Sequence, residues 1–199
     1  MNFDFNYLLI LLLFSFLGYL IGSIPFGLIL TKMSGLGDIR DIGSGNIGAT
    51  NVLRTGNKSL GYLTLVLDIA KAVVPVIYIK FNYPDLVYIS ALCAFLGHLF
   101  PAWLKFRGGK GVATFVGILI SINIYYAVVF GIVWILTFLI SKYSSLSSLF
   151  ASISIPIYLL IIDKGNIIFF IIFFVLIFYT HRENIKRLIN KEETKSKIY

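Results

Sequence analysis

From about residue 7 to residue 180 the chain is a succession of apolar runs, each long enough or nearly long enough to cross a lipid bilayer. Inside hydrocarbon the backbone has no water to bond, so a crossing segment must satisfy its own N–H and C=O groups as a helix of about 20 residues, fewer where it is sheltered. The runs fall at 7–31, 60–80, 85–104, 112–122, 124–140, 146–162 and 166–180. The fourth is short, and only Ser121-Ile-Asn123 parts it from the fifth. Charge decides how they are counted. With seven crossings and the N-terminus outside, Lys32, Arg40, Arg54, Lys58, Lys105, Arg107, Lys110, Lys142 and the basic C-terminal tail all lie inside. Lys80 and Lys164 lie outside, each with an acid nearby, Asp85 and Asp163. A six-span count separates Lys142 and the tail from the other basic loops. The positive-inside rule thus predicts an all-α integral membrane protein, a seven-transmembrane-helix bundle with the N-terminus outside and the C-terminus cytoplasmic. Residues 1–199 form a single polytopic membrane domain on this reading.

Composition supports a chain that lives in lipid. Hydrophobic residues make up 58% and charged residues 13%, against about 25% charged in soluble proteins. The net charge of +8 belongs to cytoplasmic loops rather than to a nucleic-acid surface, since no basic run is interleaved with aromatics in a polar domain. Cys93 stands alone in an apolar run, which excludes a disulfide framework and a cysteine-based metal site. The N-terminus has no basic leader region, so the first run reads as a retained helix.

The polar stations concentrate on the inside, at 32–59, 105–111, 141–145 and the tail from His181. In the first, Gly43-x-Gly45-x-x-Gly48 spells a dinucleotide fingerprint, but it lies between membrane helices and not in a βαβ unit, so that reading is rejected. A bare glycine turn is the plain alternative. Arg40, Ser44, Asn46, Thr50 and Asn51 crowd the same stretch and favour anion binding as the chain approaches the second span. In the second station, Gly108-Gly109-Lys110-Gly111 lacks the spacing and the Lys-Ser/Thr ending of a nucleotide-hydrolysing loop. It opens the fourth span, where Arg107 and Lys110 flank backbone donors that suit a phosphate. A tight turn with snorkelling basic side chains is the alternative.

Three further groups weigh more on the structural side. His98 and His181 are not followed by Asp at the spacing of His-x4-Asp acyltransferases, where Trp103 and Lys186 stand, so His98 reads as a hydrogen-bonded helix-end residue. Asp68 and Lys71, three apart on the second span, read as an internal ion pair. Pro25, within Ser23-Ile-Pro-Phe-Gly27, marks a kink or packing site. In the tail, His181 and Asn184 share one face of a continuing helix at the membrane exit, which points to ligand contact over a merely solvated basic tail.

Together these stretches resemble the bacterial PlsY family, the acyl-phosphate-dependent glycerol-3-phosphate acyltransferases. The likeness runs through Ser-Ile-Pro-Phe-Gly at 23–27, the segment 38–51, Gly-His-Leu-Phe-Pro at 97–101, Phe-Arg-Gly-Gly-Lys-Gly-Val-Ala-Thr at 106–114 and His-Arg-Glu-Asn-Ile-Lys-Arg-Leu at 181–188. It implies transfer of a fatty acyl group from acyl phosphate to the 1-hydroxyl of glycerol 3-phosphate at the cytoplasmic face of the cell membrane. The resemblance places the family's essential arginine and serine on Arg40 and Ser44, with Gly43, Gly45 and Asn46 beside them for substrate binding. Its phosphate loop falls on Gly108, Gly109, Lys110 and Gly111, and its third motif on His181 and Asn184 with a structural acid at Glu193. Glu192 rivals Glu193, and Ser144 rivals Ser145 as the serine near glycerol phosphate. The family usually has glycine two residues before the acid, where this chain has Lys191. No cofactor or metal is expected. The implied partners are the two substrates, membrane lipid and, functionally, an enzyme that makes acyl phosphate. A phosphate transporter would use similar basic loops but needs sites at the midplane and openings on both faces. A CDP-alcohol phosphotransferase needs a paired-aspartate motif that this sequence lacks.

Overall fold

The computed structural model describes residues 5–163 and 166–196, so the expectations for the first four residues and for Lys164 lie outside the described residues. Among the described residues ten α-helices follow in order: α1 (Phe5–Gly22), α2 (Phe26–Met33), α3 (Ala49–Leu53), α4 (Lys58–Asn82), α5 (Val87–Leu99), α6 (Val112–Ile122), α7 (Ile124–Ser141), α8 (Ser144–Tyr158), α9 (Ile167–Thr180) and α10 (Arg182–Ile189). Among the described residues there is no strand. Phe5–Met33, Lys58–Asn82, Pro84–Leu104, Ile124–Ser141 and Ser144–Ile162 are each long and apolar enough to cross a membrane. The pair α9 and α10 makes a sixth candidate if counted across its 60° bend. α6 has 11 residues, about 16 Å of helix and roughly half of a hydrocarbon core. The outer surface carries large apolar side chains, and polar groups are buried within an apolar core. Leu12, Ile132, Leu136 and Ile140 face outward, whereas Asp68, Lys71, Ser90, His98 and Ser152 are buried. That is the pattern of a multi-pass membrane protein, with lipid outside and polar groups in the interior.

The chain divides into two compact units at Ile122 and Asn123. In the first, α1 packs along α5 and α4 along α6. Glycine permits both approaches. A Cβ on Gly22 would run into the Ala94 backbone, one on Gly97 into the Tyr19 carbonyl, and one on Gly117 into the Ile69 carbonyl. Two hydroxyls in these helices turn back onto their own backbone, Thr64 Oγ1 onto Leu60 O at 2.7 Å and Ser121 Oγ onto Gly117 O at 2.8 Å.

The expected first span is not one helix: the chain leaves helical geometry between Gly22 and Phe26, around Pro25. Proline has no N–H to continue the ladder, and the Ile24 carbonyl at the break accepts a hydrogen bond from Lys71 Nζ at 2.8 Å. Lys71 is itself paired with Asp68 at 2.7 Å. At the other end of α4, Lys80 Nζ donates to the Ser121 and Ile122 carbonyls and closes the end of α6.

In the second unit α8 packs between α7 and α9. Trp134 donates to Ser148 Oγ at 3.2 Å, and the Tyr126 and Phe170 rings meet edge to face at 5.5 Å. Ser144 and Ser145, expected in the loop before the sixth span, instead begin α8. The continuing helix expected through His181 is instead bent by 60° there, between α9 and α10.

Candidate active site

The segment joining α2 to α4 is folded around one buried amide. Asn51 Nδ2 donates to the carbonyls of Ile39, Ile42 and Asn46 at 2.8–3.0 Å, and its Oδ1 accepts from Ser44 N at 3.0 Å and Ser44 Oγ at 3.3 Å. Gly43 takes φ +58° where a Cβ would lie 2.5 Å from Asn51 Oδ1, so only glycine lets the turn close on that amide. Asn46 Oδ1 accepts from Gly48 N at 2.9 Å and closes the next turn. The platform beneath is apolar: Leu28, Ile39, Ile47 and Val52 form a buried cluster against which Ile42, Leu60 and Leu104 pack. Asn51, expected as one of the polar groups favouring an anion, instead commits its amide to the loop's own backbone. Its signal was an amide closing a glycine-rich turn, the residue type that satisfies several backbone groups at once.

The glycine segment was expected to lead to the start of the second span. It leads instead to the five-residue α3, and α4 is capped separately by Asn57, whose side chain accepts from Leu60 N at 3.1 Å.

Arg40 is exposed and grips Asp38 with two nitrogens, Nε to Oδ1 at 2.9 Å and Nη2 to Oδ2 at 2.6 Å. Lys32 lies 3.2 Å from the same carboxylate. The Arg40 hydrogen bond, reinforced by Lys32, holds the Asp38 carboxyl far below the ordinary carboxylate range, and Asp38 in turn raises the Arg40 guanidinium.

The second glycine station differs from its expectation in one respect. Gly108 N donates to Leu99 O and Gly109 N to His98 O, each at 3.0 Å. These two N–H groups are taken by the end of α5 and do not point at a ligand. A Cβ on Gly108 would lie 2.6 Å from Pro101 Cδ, and one on Gly109 2.6 Å from His98 Cε1. Gly111, at φ +86°, turns the chain into α6 beside Lys110. The first-turn N–H groups of α6 have no intrahelical partner, so the end that favours an anion lies just past the two glycines. Thr114 Oγ1, buried in that turn, has no hydrogen-bond partner among the described residues.

In the second unit one carboxylate gathers three side chains. Glu193 Oε1 accepts from Ser145 Oγ at 2.8 Å and from Asn184 Nδ2 at 2.7 Å, while Oε2 accepts from Arg187 Nε at 2.7 Å. Burial opposes ionisation of Glu193, but the bonds from Arg187, Asn184 and Ser145 outweigh it and keep the carboxyl below its ordinary value. Glu192 is exposed and makes none of these contacts. Ser145 rather than Ser144 reaches the carboxylate. Arg187 had been given no role from sequence. With its nitrogen held by Glu193, Asn184 has a buried Oδ1 that takes no hydrogen bond among the described residues. His181 is buried at the helix bend, and its Nδ1–H donates to Ile177 O at 2.8 Å. A carbonyl can only accept, so in the neutral ring the lone pair is on Nε2.

His98 stands in the last turn of α5, as expected, and its carbonyl is hydrogen-bonded, but one ring nitrogen is not. Its Nδ1 has no hydrogen-bond partner among the described residues and lies 3.9 Å from Asp68 Oδ1. Arg40, Ser44 and Lys110 belong to the first unit, and Ser145, His181, Asn184 and Glu193 to the second.

Comparisons with known proteins agree with one another. The sequence profile described as glycerol-3-phosphate acyltransferase matches residues 12–191. A glycerol-3-phosphate acyltransferase of Pelagibacter ubique is 72% identical over 181 residues, covering 91% of this chain and 95% of that one. One of Brucella anthropi is 52% identical over 179 residues, 89% of each. The crystal structure of PlsY (YgiH), an integral membrane glycerol 3-phosphate acyltransferase, in its glycerol 3-phosphate form superposes with a TM-score of 0.88 at 36% identity, over 93% of this chain and 94% of that one. Its lysophosphatidic acid form gives 0.86 at 35% identity over the same shares. The chain therefore belongs to the glycerol-3-phosphate acyltransferase family, as a membrane acyltransferase of the PlsY type.

Proposed function

We propose that the chain transfers a fatty acyl group from acyl phosphate to the 1-hydroxyl of sn-glycerol 3-phosphate, giving lysophosphatidic acid and phosphate, the first acylation of phospholipid synthesis. The observation that carries the acceptor and product is the likeness, along almost the whole chain, to a PlsY structure in its glycerol 3-phosphate and lysophosphatidic acid forms. The donor rests on the five ordered motifs.

Acyl phosphate is a mixed anhydride and needs no further activation. Holding it against the glycerol hydroxyl can supply about 7–11 kcal/mol of the barrier. The new ester bond forms between the glycerol oxygen and the acyl carbon as the bond from that carbon to the phosphate oxygen breaks. Arg40 and Lys110 offset phosphate charge, assisted by the first turn of α6. Ser44 is oriented by Asn51. Asn184 Oδ1 offers an acceptor to a glycerol hydroxyl, and His181 Nε2 or a substrate phosphate takes its proton. Ser145 stands near glycerol phosphate, and Gly43, Gly45, Asn46 and Gly111 shape the loops that receive substrate.

No covalent acyl-enzyme forms on this route. Seven crossings, α6 included, with the N-terminus outside and the C-terminus cytoplasmic, turn these residues to the cytoplasm, and the whole chain serves as one polytopic membrane domain. Purified protein should acylate glycerol 3-phosphate with acyl phosphate, with or without EDTA, and fail with acyl-CoA. Activity only with acyl-CoA, or a trapped acyl-Ser44, would overturn the proposal.

A further inference from the structure

Three groups buried in the first unit lie beyond the chemistry above: Asp68 and Lys71 on α4 and His98 on α5, with 2%, 4% and 4% of their surface exposed. Burying charge is costly unless it is paired, and the pair is made, at 2.7 Å. What it is paired for can be read from its neighbours. The His98 ring lies between two things. Nδ1 faces Asp68 Oδ1 at 3.9 Å, and the opposite edge covers Gly109, where a Cβ would meet Nε2, Cε1 and Cδ2. The His98 carbonyl accepts the Gly109 N–H at 3.0 Å. One residue thus holds Gly109 by its main chain and covers it with its side chain. Lys71, the other half of the pair, donates to Ile24 O at the break before α2.

We propose that His98 is a positioning residue for the phosphate loop: it sets where Gly109 lies and hence how Lys110 and the first turn of α6 are presented, with the Asp68–Lys71 pair packed beside its ring. Glycine is required at 109 because of the imidazole above it and not because a ligand approaches its Cα. His98 itself touches no substrate. The kinetic consequences rest on the acyltransferase reading given above, whereas the packing consequence does not.

The test is a double-mutant cycle with Gly109→Ala, His98→Ala and the two combined, each purified in detergent and compared with wild type and with Asp68→Asn. Gly109→Ala should raise KM for glycerol 3-phosphate about tenfold, and adding His98→Ala should bring it back to within about threefold of His98→Ala alone, since residues in contact couple. His98→Ala and Asp68→Asn should raise KM more than they lower kcat, whereas simple loss of folded enzyme lowers kcat at constant KM. Multiplicative effects of the two substitutions, or a KM unmoved in His98→Ala, would overturn the inference. If Gly109→Ala does not accumulate folded, His98→Ala in the same chain should restore a monodisperse protein, and failure to do so overturns it too. Should wild type show no glycerol 3-phosphate acylation, the acyltransferase reading fails separately. The thermal midpoints of the four proteins then decide, non-additive shifts supporting the positioning role and additive ones refuting it.

Discussion

Glu193 Oε1 accepts the Ser145 hydroxyl at 2.8 Å across 48 positions of sequence, tying the first turn of α8 to the segment beyond α10. The same carboxylate holds Asn184 and Arg187. Glu193→Ala should cost about 2–3 kcal/mol, because it leaves charge-assisted bonds unmade. Activity should fall with it, since Asn184 loses the partner that aims its Oδ1. Thermal denaturation in detergent, with specific activity measured on the folded fraction, checks both.

The pH dependence of that cluster has a definite sign. The folded Glu193 carboxyl lies below its ordinary value of 4.5, so the native state favours the ionised form. Its contribution is fully present above about pH 4.5 and is lost as pH falls through the lower folded value. The melting temperature of wild type should therefore drop on acidification in that range more steeply than that of Glu193→Gln. Parallel curves for the two proteins would contradict the assignment.

Asn51→Asp is expected to be worse than its small change in shape suggests. It removes the donors to three backbone carbonyls and sets a carboxylate against them. We expect destabilisation of about 2–3 kcal/mol and loss of at least about 90% of kcat/KM, the Ser44 turn being built on that amide. Asn51→Asp with wild-type kcat/KM would show that the turn closes without it.

Arg40→Lys keeps the charge and loses the planar fork that binds Asp38 through two nitrogens. A drop of about a hundredfold in kcat/KM is expected, the scale for removing one well-placed donor from a developing charge. Asp38→Asn should be milder, because Arg40 stays while its anchor weakens. Kinetics of both variants, each substrate varied in turn, would show whether that order holds.

Lys191 offers a stabilising change. α10 ends in a motif in which Lys191 N donates to Leu188 O and Glu192 N to Arg187 O, with Lys191 at φ +61°. That position favours glycine because a side chain crowds the backbone there. Lys191→Gly should raise stability by about 1 kcal/mol and leave KM unchanged, read as a higher melting temperature.

Much of the fold was legible in one dimension because lipid leaves a backbone few solutions. A long apolar run such as 124–140 must be a helix wherever it lies, and the basic loops mark themselves by composition. The motifs that carry the family likeness are local as well, and the Asp68–Lys71 pair follows from helical spacing alone. Choices that depend on distant partners were not legible. Glu193 and Glu192 are adjacent acids in sequence; the distinction is made by the side chains that reach Glu193, Asn184 and Arg187 on α10 and Ser145, 48 residues away. The glycines at 108 and 109 read from sequence as phosphate donors, with a tight turn as the alternative, until α5 is seen to take both N–H groups. The break at Pro25 is local, but the group that satisfies its stranded carbonyl is Lys71, 47 residues on. Hydrophobic segments choose their secondary structure from the solvent around them, whereas a buried polar group is settled only by the particular atom that reaches it, and that atom is supplied by the tertiary fold.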